Sequence, residues 1–520
     1  MTPLSENRNH PIWTSSRTTK HFPSLERDET TDIAIVGAGI TGITAAYLLQ
    51  QAGKNVTLID AHSFLTGTTL HTTGKVTAQH GLIYDQLLND IGYQATDHYL
   101  KSNQEAINLI KTIIDKEHIN CQWEQQDAYL FATSDKGRSQ LEREYQAYDR
   151  LNIDSALTDS IPFQVDVTGA LAMKDQYQFN PITYLSQLLL ALDNGTTKLY
   201  ENTPAIDIDA SENNPVVTCQ NGYHIKAQHV LICTHYPFHT GPTRFATKLH
   251  AERSYVLAFQ DPNPYPGGMY LSIDQPTRSI REATIDDQSY ILFGGDGHKT
   301  GQGESTEKHY DNLKRDAYTY FSHQPITHHW STQDLVTLDD LPYIGPIEKD
   351  EPSILLATGY RKWGMTNGTA AAKLLADYVL QRMSPHQQIF LPTRPATSQG
   401  VATFLKENTD TAKHLTKGKV SAESRELNQL KPGEATTFKQ DGQRKGAYQS
   451  HDDTLYIVDT TCTHAGCEVN WNGAEKTWDC PCHGSRFSYT GEVIEGPAQE
   501  NLHREKFTMG QALRKNKGDS

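Results

Sequence analysis

The apolar positions of this chain change rhythm several times, and each change marks an element. Ile33, Ala34, Ile35 and Val36 form a short unbroken run after Asp32, the pattern of a strand buried on both faces. Ile43, Ala46, Tyr47 and Leu49 then recur at helical spacing until Gly53, and Asn55-Val-Thr-Leu-Ile-Asp60 reads as a second strand. Residues 80–160 are helix-rich, with Leu87, Leu88, Ile107, Leu109, Ile110, Ile113 and Ile114 at helical spacing. His229-Val-Leu-Ile-Cys-Thr234 predicts another buried strand, and the region 245–335 holds alternating strands such as Ser254–Phe259 and Tyr290-Ile-Leu-Phe293. Ile354-Leu-Leu-Ala-Thr358 predicts one more strand, followed by an Ala-rich helix ending near Met383. From Gln387 to about Gly433 the chain turns polar, with Pro392 and Pro395, and reads as an irregular linker. No apolar run approaches the roughly 18 residues of a membrane span.

Composition narrows the class. Apolar residues make up 37% and charged residues 21%, ordinary for a folded soluble chain. A length of 520 residues predicts several domains. The net charge of −15 excludes the basic footprint that nucleic acid requires. The first thirty residues contain no apolar signal core, so cytoplasm is the expected compartment. Seven cysteines are too few for a disulfide scaffold. Cys121, Cys219 and Cys233 read as small buried apolar residues.

Gly37-Ala-Gly39-Ile40-Thr41-Gly42 joins the first strand to the first helix, and Asp60 closes the second strand. Strand, glycine turn, helix, strand and acid together form a dinucleotide-binding context. Gly37 makes the turn, Gly39 admits the pyrophosphate and Gly42 lets helix pack on strand. Asp60 suits a ribose 2′-hydroxyl. The motif alone does not separate NAD from FAD.

Near the other end, Cys462-Thr-His464 and Cys480-Pro-Cys482-His483 bring two thiols and two imidazoles into short loops. These ligand types suit zinc as well as an iron–sulfur cluster. Zinc knuckles favour Cys-x-x-Cys pairs, whereas the first pair here is Cys-x-His. Gly466, Gly484 and Ser485 allow tight turns whose N–H groups can face the sulfurs. Cys462-Thr-His464-Ala-Gly-Cys467, Cys480-Pro-Cys-His483-Gly-Ser485 and Gly496-Pro-Ala498 resemble the Rieske proteins of cytochrome bc complexes over residues ~420–510. The resemblance implies a 2Fe–2S cluster held by Cys462, His464, Cys480 and His483, with Cys467 bridged to Cys482. Those proteins usually carry a tyrosine where this chain has Phe487, which predicts a lower cluster potential here.

Leu341-Pro-Tyr-Ile-Gly-Pro346, the strand after it, and Gly359-Tyr-Arg-Lys-Trp-Gly364-Met-Thr-Asn-Gly368 resemble the closing element of the D-amino-acid oxidase/glycine oxidase family. There the helix N-terminus faces the flavin ring and stabilises negative charge at its N1/C2 edge. The resemblance covers residues ~30–385 and implies FAD, with Gly359, Gly364, Met365 and Thr366 beside it. Gly67-Thr-Thr-Leu-His71-Thr-Thr-Gly74 is similar to the dimethylglycine and sarcosine dehydrogenase segment whose histidine bonds the flavin 8-methyl. His71 is therefore a candidate for covalent attachment; the alternative is a loop histidine near the ring or solvent. Met365, Thr366 and Asn367 occupy the place where relatives often carry a carboxylate-binding Lys or Arg. Arg361, Lys362, Arg253 and Arg281 are substitutes, each weighed against an ordinary surface charge.

The expected architecture is an α/β FAD-binding domain, Rossmann-like and of the glutathione-reductase type, with an α+β substrate domain, plus an all-β C-terminal Rieske domain. Its parts are an N-terminal extension 1–30, the oxidoreductase 31–385 with substrate segments near 85–165 and 245–335, a linker 386–432, the Rieske domain 433–510 and a polar tail 511–520. The leading functional expectation is oxidation of a small amine or amino-acid-like substrate at FAD. Electrons would then pass singly through the cluster to an acceptor protein, or arrive from a donor. A non-catalytic redox sensor is the alternative. A Rieske oxygenase needs two His and a carboxylate on a mononuclear iron, and Asp115-Lys-Glu-His118 lacks the second His. His235 and Tyr360 are weak candidates on the substrate side.

Overall fold

The computed structural model describes residues 10–18, 20–210, 214–239, 245–303, 305–417, 427–440, 442–452 and 454–508. The polar tail and the first nine residues lie outside them. The chain forms two compact units: Met1–Phe245, Ser254–Gly297 and Tyr310–Gly400, and then Ala246–Arg253, His298–His309 and Val401–Ser520.

The first unit is built on a sheet whose central strand is Glu29–Val36, flanked in parallel by Val56–Ile59 and His224–Ile232. Ile354–Thr358 extends it in parallel and Tyr343–Pro346 closes it antiparallel. Val56–Ile59 and Ile354–Thr358 are buried at every position. Their unbroken apolar runs fit a parallel sheet covered on both faces. Helix Ile40–Gln51 follows the first strand and packs beside helix Gly364–Val379.

A second, nine-stranded sheet runs in the order His328–Thr337, Leu249–Phe259, Gln288–Lys299, Arg278–Ile285, Met269–Ser272, Glu124–Ala132, Gly169–Gln178, Lys75–Val76, with Ser155–Thr158 attached to Gly169–Gln178. Met269–Ser272 lies parallel to Glu124–Ala132, while its other neighbour is antiparallel, so this sheet is mixed. The helix-rich stretch contains helices Tyr84–Asp90, Gly92–Glu117 and Asp135–Arg150, but the strand Glu124–Ala132 runs between them.

The second unit holds two antiparallel four-stranded sheets. One is Ala435–Gln440, Gln443–Gln449, Thr454–Asp459 and Arg504–Thr508; the other is Asn470–Asn472, Thr477–Asp479, Arg486–Ser488 and Val493–Glu495. The stretch read as an irregular linker differs from expectation, because it holds a twenty-residue helix, Ser398–Lys417. Its polar composition hides it: the apolar residues do not fall on the side that a core would bury.

Candidate functional site

At the first site, sterics dictate the glycine loop. A Cβ on Gly42 would stand 1.9 Å from the Gly37 carbonyl oxygen, so only glycine lets the helix start this close to the strand. Helix Ile40–Gln51 begins at Gly39, which has no side chain to cap it. The Ile40 N–H donates to Thr69 Oγ1 at 3.2 Å. Asp60 sits at the end of the neighbouring strand. Its Oδ2 accepts from the Ala38 N–H at 2.8 Å and its Oδ1 from the His62 N–H at 2.9 Å. Burial raises its pKa, and those two N–H groups partly offset the shift. Asp60 thus holds the glycine loop directly.

The second helix N-terminus, at Gly364, also lacks a side-chain cap. It is tied to the first: Thr41 Oγ1 and the Tyr360 hydroxyl are 2.8 Å apart. Met365 and Thr366 are buried, and the Thr366 hydroxyl donates to the Thr77 carbonyl at 3.0 Å. His80 is the hub beside it. Its Nε2 lies 2.8 Å from Thr77 O and 2.9 Å from Thr366 Oγ1, its Nδ1 lies 2.6 Å from the Tyr99 hydroxyl, and its ring stacks on Trp363. Burial pushes the His80 pKa down to about 3, so the ring is neutral, donating from Nε2 and accepting at Nδ1. Asn367 Oδ1 and His235 Nε2 are buried without a hydrogen-bond partner. Two uncapped helix ends with orphaned polar atoms fit an anionic, hydrogen-bonding cofactor.

The remaining expected residues fall out differently. His71 donates from Nδ1 to Gly67 O at 2.9 Å, which fixes its ring on the loop. Arg361 is paired with Asp340 at 3.1 Å and donates to His80 O. The Lys362 N–H donates to Asp334 at 3.2 Å. The reading of Arg253 and Arg281 as solvated surface charges is corrected, since both are buried. Arg281 donates to the carbonyls of Gly74 and Phe179 and lies over the Trp13 ring. Lys75 Nζ, on the next strand residue, donates to Tyr270 O and Ser279 Oγ, and burial followed by the nearby Arg281 pushes its pKa down to about 7.

In the second unit, the loops 462–467 and 480–485 converge. The Cys462 sulfur accepts a hydrogen bond from the Cys480 thiol, which pulls its pKa below the usual value against the cost of burial. The N–H groups of His464 and Ala465 and the Ser485 hydroxyl add to that pull. The N–H groups of Cys482 and His483 point at Cys480 in the same way. His464 and His483 have ring centroids 4.9 Å apart, and burial pushes the His483 pKa down to about 4. His483 Nδ1 is buried with no hydrogen-bond partner. Two adjacent thiols, two neutral imidazoles and one orphaned ring nitrogen fit a 2Fe–2S unit ligated half by sulfur and half by nitrogen. Cys467 and Cys482 are disulfide-bonded, as the resemblance implies. Arg486 donates to Asp479 at 3.2 Å, next to the first cysteine of that loop, and to Glu495 at 3.3 Å. Arg253 approaches Glu475 at 3.6 Å and Glu495 at 3.9 Å in the same unit. Burial favours protonation of Asp479, but Arg486 and Arg253 outweigh it and hold its pKa low.

The model of the family described as FAD dependent oxidoreductase matches residues 32–378. The chain belongs to that family. A Rieske [2Fe-2S] domain matches residues 421–507, which decides against zinc. This FAD-dependent oxidoreductase is 44% identical over 490 residues to YhfW of Bacillus subtilis (strain 168), named for a Rieske 2Fe-2S iron-sulfur protein, across 94% of this chain and 96% of that one. The cytochrome b6-f complex iron-sulfur subunit 1 of Nostoc sp. (strain PCC 7120 / SAG 25.82 / UTEX 2576) is 51% identical over 49 residues, 9% of this chain and 27% of that one. In fold the oxidoreductase is similar to glycine oxidase from Geobacillus kaustophilus, with a TM-score of 0.61, 18% identity and coverage of 71% and 99%. Its cofactors are FAD and a Rieske-type 2Fe–2S cluster. No helix among the described residues is long and apolar enough to cross a membrane.

Sequence reading missed the His80 hub, the buried Lys75 and the Ser485 hydroxyl beside Cys462. Ser485 stood in a motif and was read as a turn residue. Its hydroxyl also accepts from the Ala498 N–H at 3.0 Å, which ties the segment Gly496-Pro-Ala498 to the 480–485 loop. For His80, no local spacing links it to Thr366.

Two expected results follow from this oxidoreductase's sites. Phe487 is buried in one cluster with Cys462 and Cys480. Phe487→Tyr should add a donor to a ligand sulfur, favour the reduced cluster and raise its potential by tens of millivolts, on the order expected for one charge-assisted bond. Voltammetry that finds no rise would mean the ring edge does not reach a sulfur. His80, with its folded pKa depressed below an unfolded value of about 6.5, contributes stability that is present above that value and lost as pH falls toward 3. Between pH 6.5 and 4 the loss should be on the order of 3 kcal/mol. Denaturant titrations of His80→Gln should show a flatter pH dependence than the wild type; parallel curves would remove His80 as the cause.

Proposed function

We propose that this oxidoreductase removes a hydride from a small amine or amino-acid-like substrate at FAD and sends the electrons singly through the cluster to an external acceptor. The observation that carries this reading is the union of a dinucleotide loop and a thiol–imidazole pocket in one chain. FAD takes two electrons at once and the cluster exchanges one, so the pair converts two-electron chemistry into one-electron traffic. On this reading Gly37, Gly39, Ile40, Thr41, Gly42 and Asp60 hold the pyrophosphate and ribose, while Gly359, Gly364, Met365 and Thr366 approach the ring. His71 belongs to the loop against the flavin. Cys462, His464, Cys480 and His483 ligate the irons.

Names among similar folds, glycine oxidase, L-proline dehydrogenase and L-amino acid deaminase, support amino-acid-like chemistry. Lys75 and Arg281 also favour a substrate carrying a carboxylate, because each donates to uncharged oxygens. His235 and Tyr360 are not needed as bases. Tyr360 is engaged with Thr41, and an amine that enters neutral supplies its own lone pair.

The test is anaerobic mixing of the holoenzyme with a panel of amines and amino acids while the flavin band is followed. Bleaching by a member of the panel, and faster reoxidation by a one-electron acceptor than by oxygen, is the expected result. A flavin that dithionite reduces but no panel member bleaches would favour the sensor instead.

A further inference from the structure

Helix Ser398–Lys417 is amphipathic, yet it is mounted with its apolar side outward. An amphipathic helix normally turns its apolar stripe to the protein. Here Val401 is 50% exposed, Phe404 39%, Leu405 62% and Leu415 40%. Val401, Phe404 and Leu405 recur at three- and four-residue spacing, and Leu415, further along, falls on the same side of the helix. The polar side faces its own unit. Glu407 and Asp410 both pair with Lys299, at 2.7 and 2.9 Å, and Gln302 donates to Asp410 at 3.0 Å; Asn408, on the same side as Val401 and Leu415, donates to Thr247 O at 3.2 Å and marks the inner margin of the stripe. The inward ion pairs therefore fix which face looks out. An apolar stripe held in solvent by polar anchors is the signature of a surface kept for a partner.

Charge and position say what kind of partner. The carboxylates Glu407 and Asp410 are turned inward, while Lys406 and Lys413 are exposed about a quarter turn round the helix from Leu405. The outward face is thus apolar and basic on a chain whose net charge is −15. Thr411 O, on the same helix, lies 3.9 Å from Cys482 Sγ, in the loop that also carries Cys480 and His483. A partner seated on the stripe stands beside the cluster pocket. A second copy fits less well, because like edges meet when two identical helices pair antiparallel, and Lys406 and Lys413 would oppose their copies.

We propose that the outward face of Ser398–Lys417 docks a small acidic one-electron carrier protein next to the Rieske cluster. This rests on the one-electron traffic proposed above. The reduced cluster is oxidised by one electron, the carrier's oxidised centre is reduced by one, and no bond or proton changes hands. The apolar stripe supplies contact, and the lysine edge supplies orientation and rate.

The probes are plastocyanin, an acidic carrier, and cytochrome c, a basic one, titrated calorimetrically against the full holoenzyme. Plastocyanin should bind, and raised salt should weaken it. Leu405→Glu, an exposed change, should weaken plastocyanin at least tenfold and slow its reduction by the dithionite-reduced cluster equally, with ferricyanide reduction unchanged. Lys406→Glu should weaken binding and flatten the salt dependence. Unchanged affinity in Leu405→Glu, or binding of cytochrome c in place of plastocyanin, overturns the proposal. So does a wild-type dimer that Leu405→Glu converts to monomer, or binding to phosphatidylglycerol vesicles that the same variant abolishes. Because the cluster is reduced by dithionite, these outcomes do not depend on the organic substrate. Failure of the amine panel with carrier docking intact would sink only the substrate reading.

Discussion

Cys480→Ser should stop electron delivery to a protein-sized acceptor while FAD remains bound and reducible. Cys480 is buried, pairs with Cys462, and receives the N–H groups of Cys482 and His483. A serine oxygen is a harder, less polarisable ligand, and its geometry does not fit a pocket shaped around sulfur. The change lies in the second unit, whereas every residue assigned to FAD lies in the first. The variant should keep its flavin band, lose the electron paramagnetic resonance of the reduced cluster, and still bleach with substrate. Its acceptor turnover should fall at least a hundredfold. If turnover persisted after loss of the cluster signal, the Rieske unit would not be the outlet.

Gly42→Ala should give the reciprocal result, an intact cluster in a protein that has lost FAD. The added methyl would stand 1.9 Å from the Gly37 carbonyl and 3.3 Å from Ile35 Cγ2, both set in or next to the central strand. Backbone cannot yield as a flexible side chain does. The helix N-terminus must move away, and with it the N–H groups that face the phosphates. A destabilisation of roughly 1–3 kcal/mol is the usual scale for overpacking, and rigid backbone neighbours put this change at the upper end. Flavin content after gel filtration, measured against the cluster band of the same sample, reads the effect. Full flavin occupancy would show that the loop tolerates a shift which the packing here forbids.

Legibility in the sequence followed the range of the forces involved. The glycine loop could be read because its steric demands act between residues five apart, Gly37 and Gly42. The cluster pocket could be read because its four donors sit in two short loops. The His80 hub joins residues 77, 80, 99, 363 and 366, and no local pattern announces that they meet. Arg253 and Arg281 were weighed as solvated because an isolated arginine is usually solvated. Their burial depends on carboxylates and carbonyls contributed by distant segments. Helix Ser398–Lys417 escaped because a polar stretch after two prolines resembles a loop. The reading took apolar residues as a guide to what is buried, and this helix inverts that rule.

The buried Arg253 bears on how the protein can be cut. Its segment, Ala246–Arg253, and the segment His298–His309 lie far upstream of the Rieske motifs, yet both belong to the same compact unit as those motifs. A fragment that starts at Val401 would hold all four expected iron ligands but lack the guanidinium that approaches Glu475 and Glu495. Asp479 and Glu495 would then keep Arg486 as the arginine that both contact. The cluster domain is therefore not a portable cassette in this architecture. Grafting it onto another flavoenzyme would require carrying two short pieces of the host strand scaffold along with it.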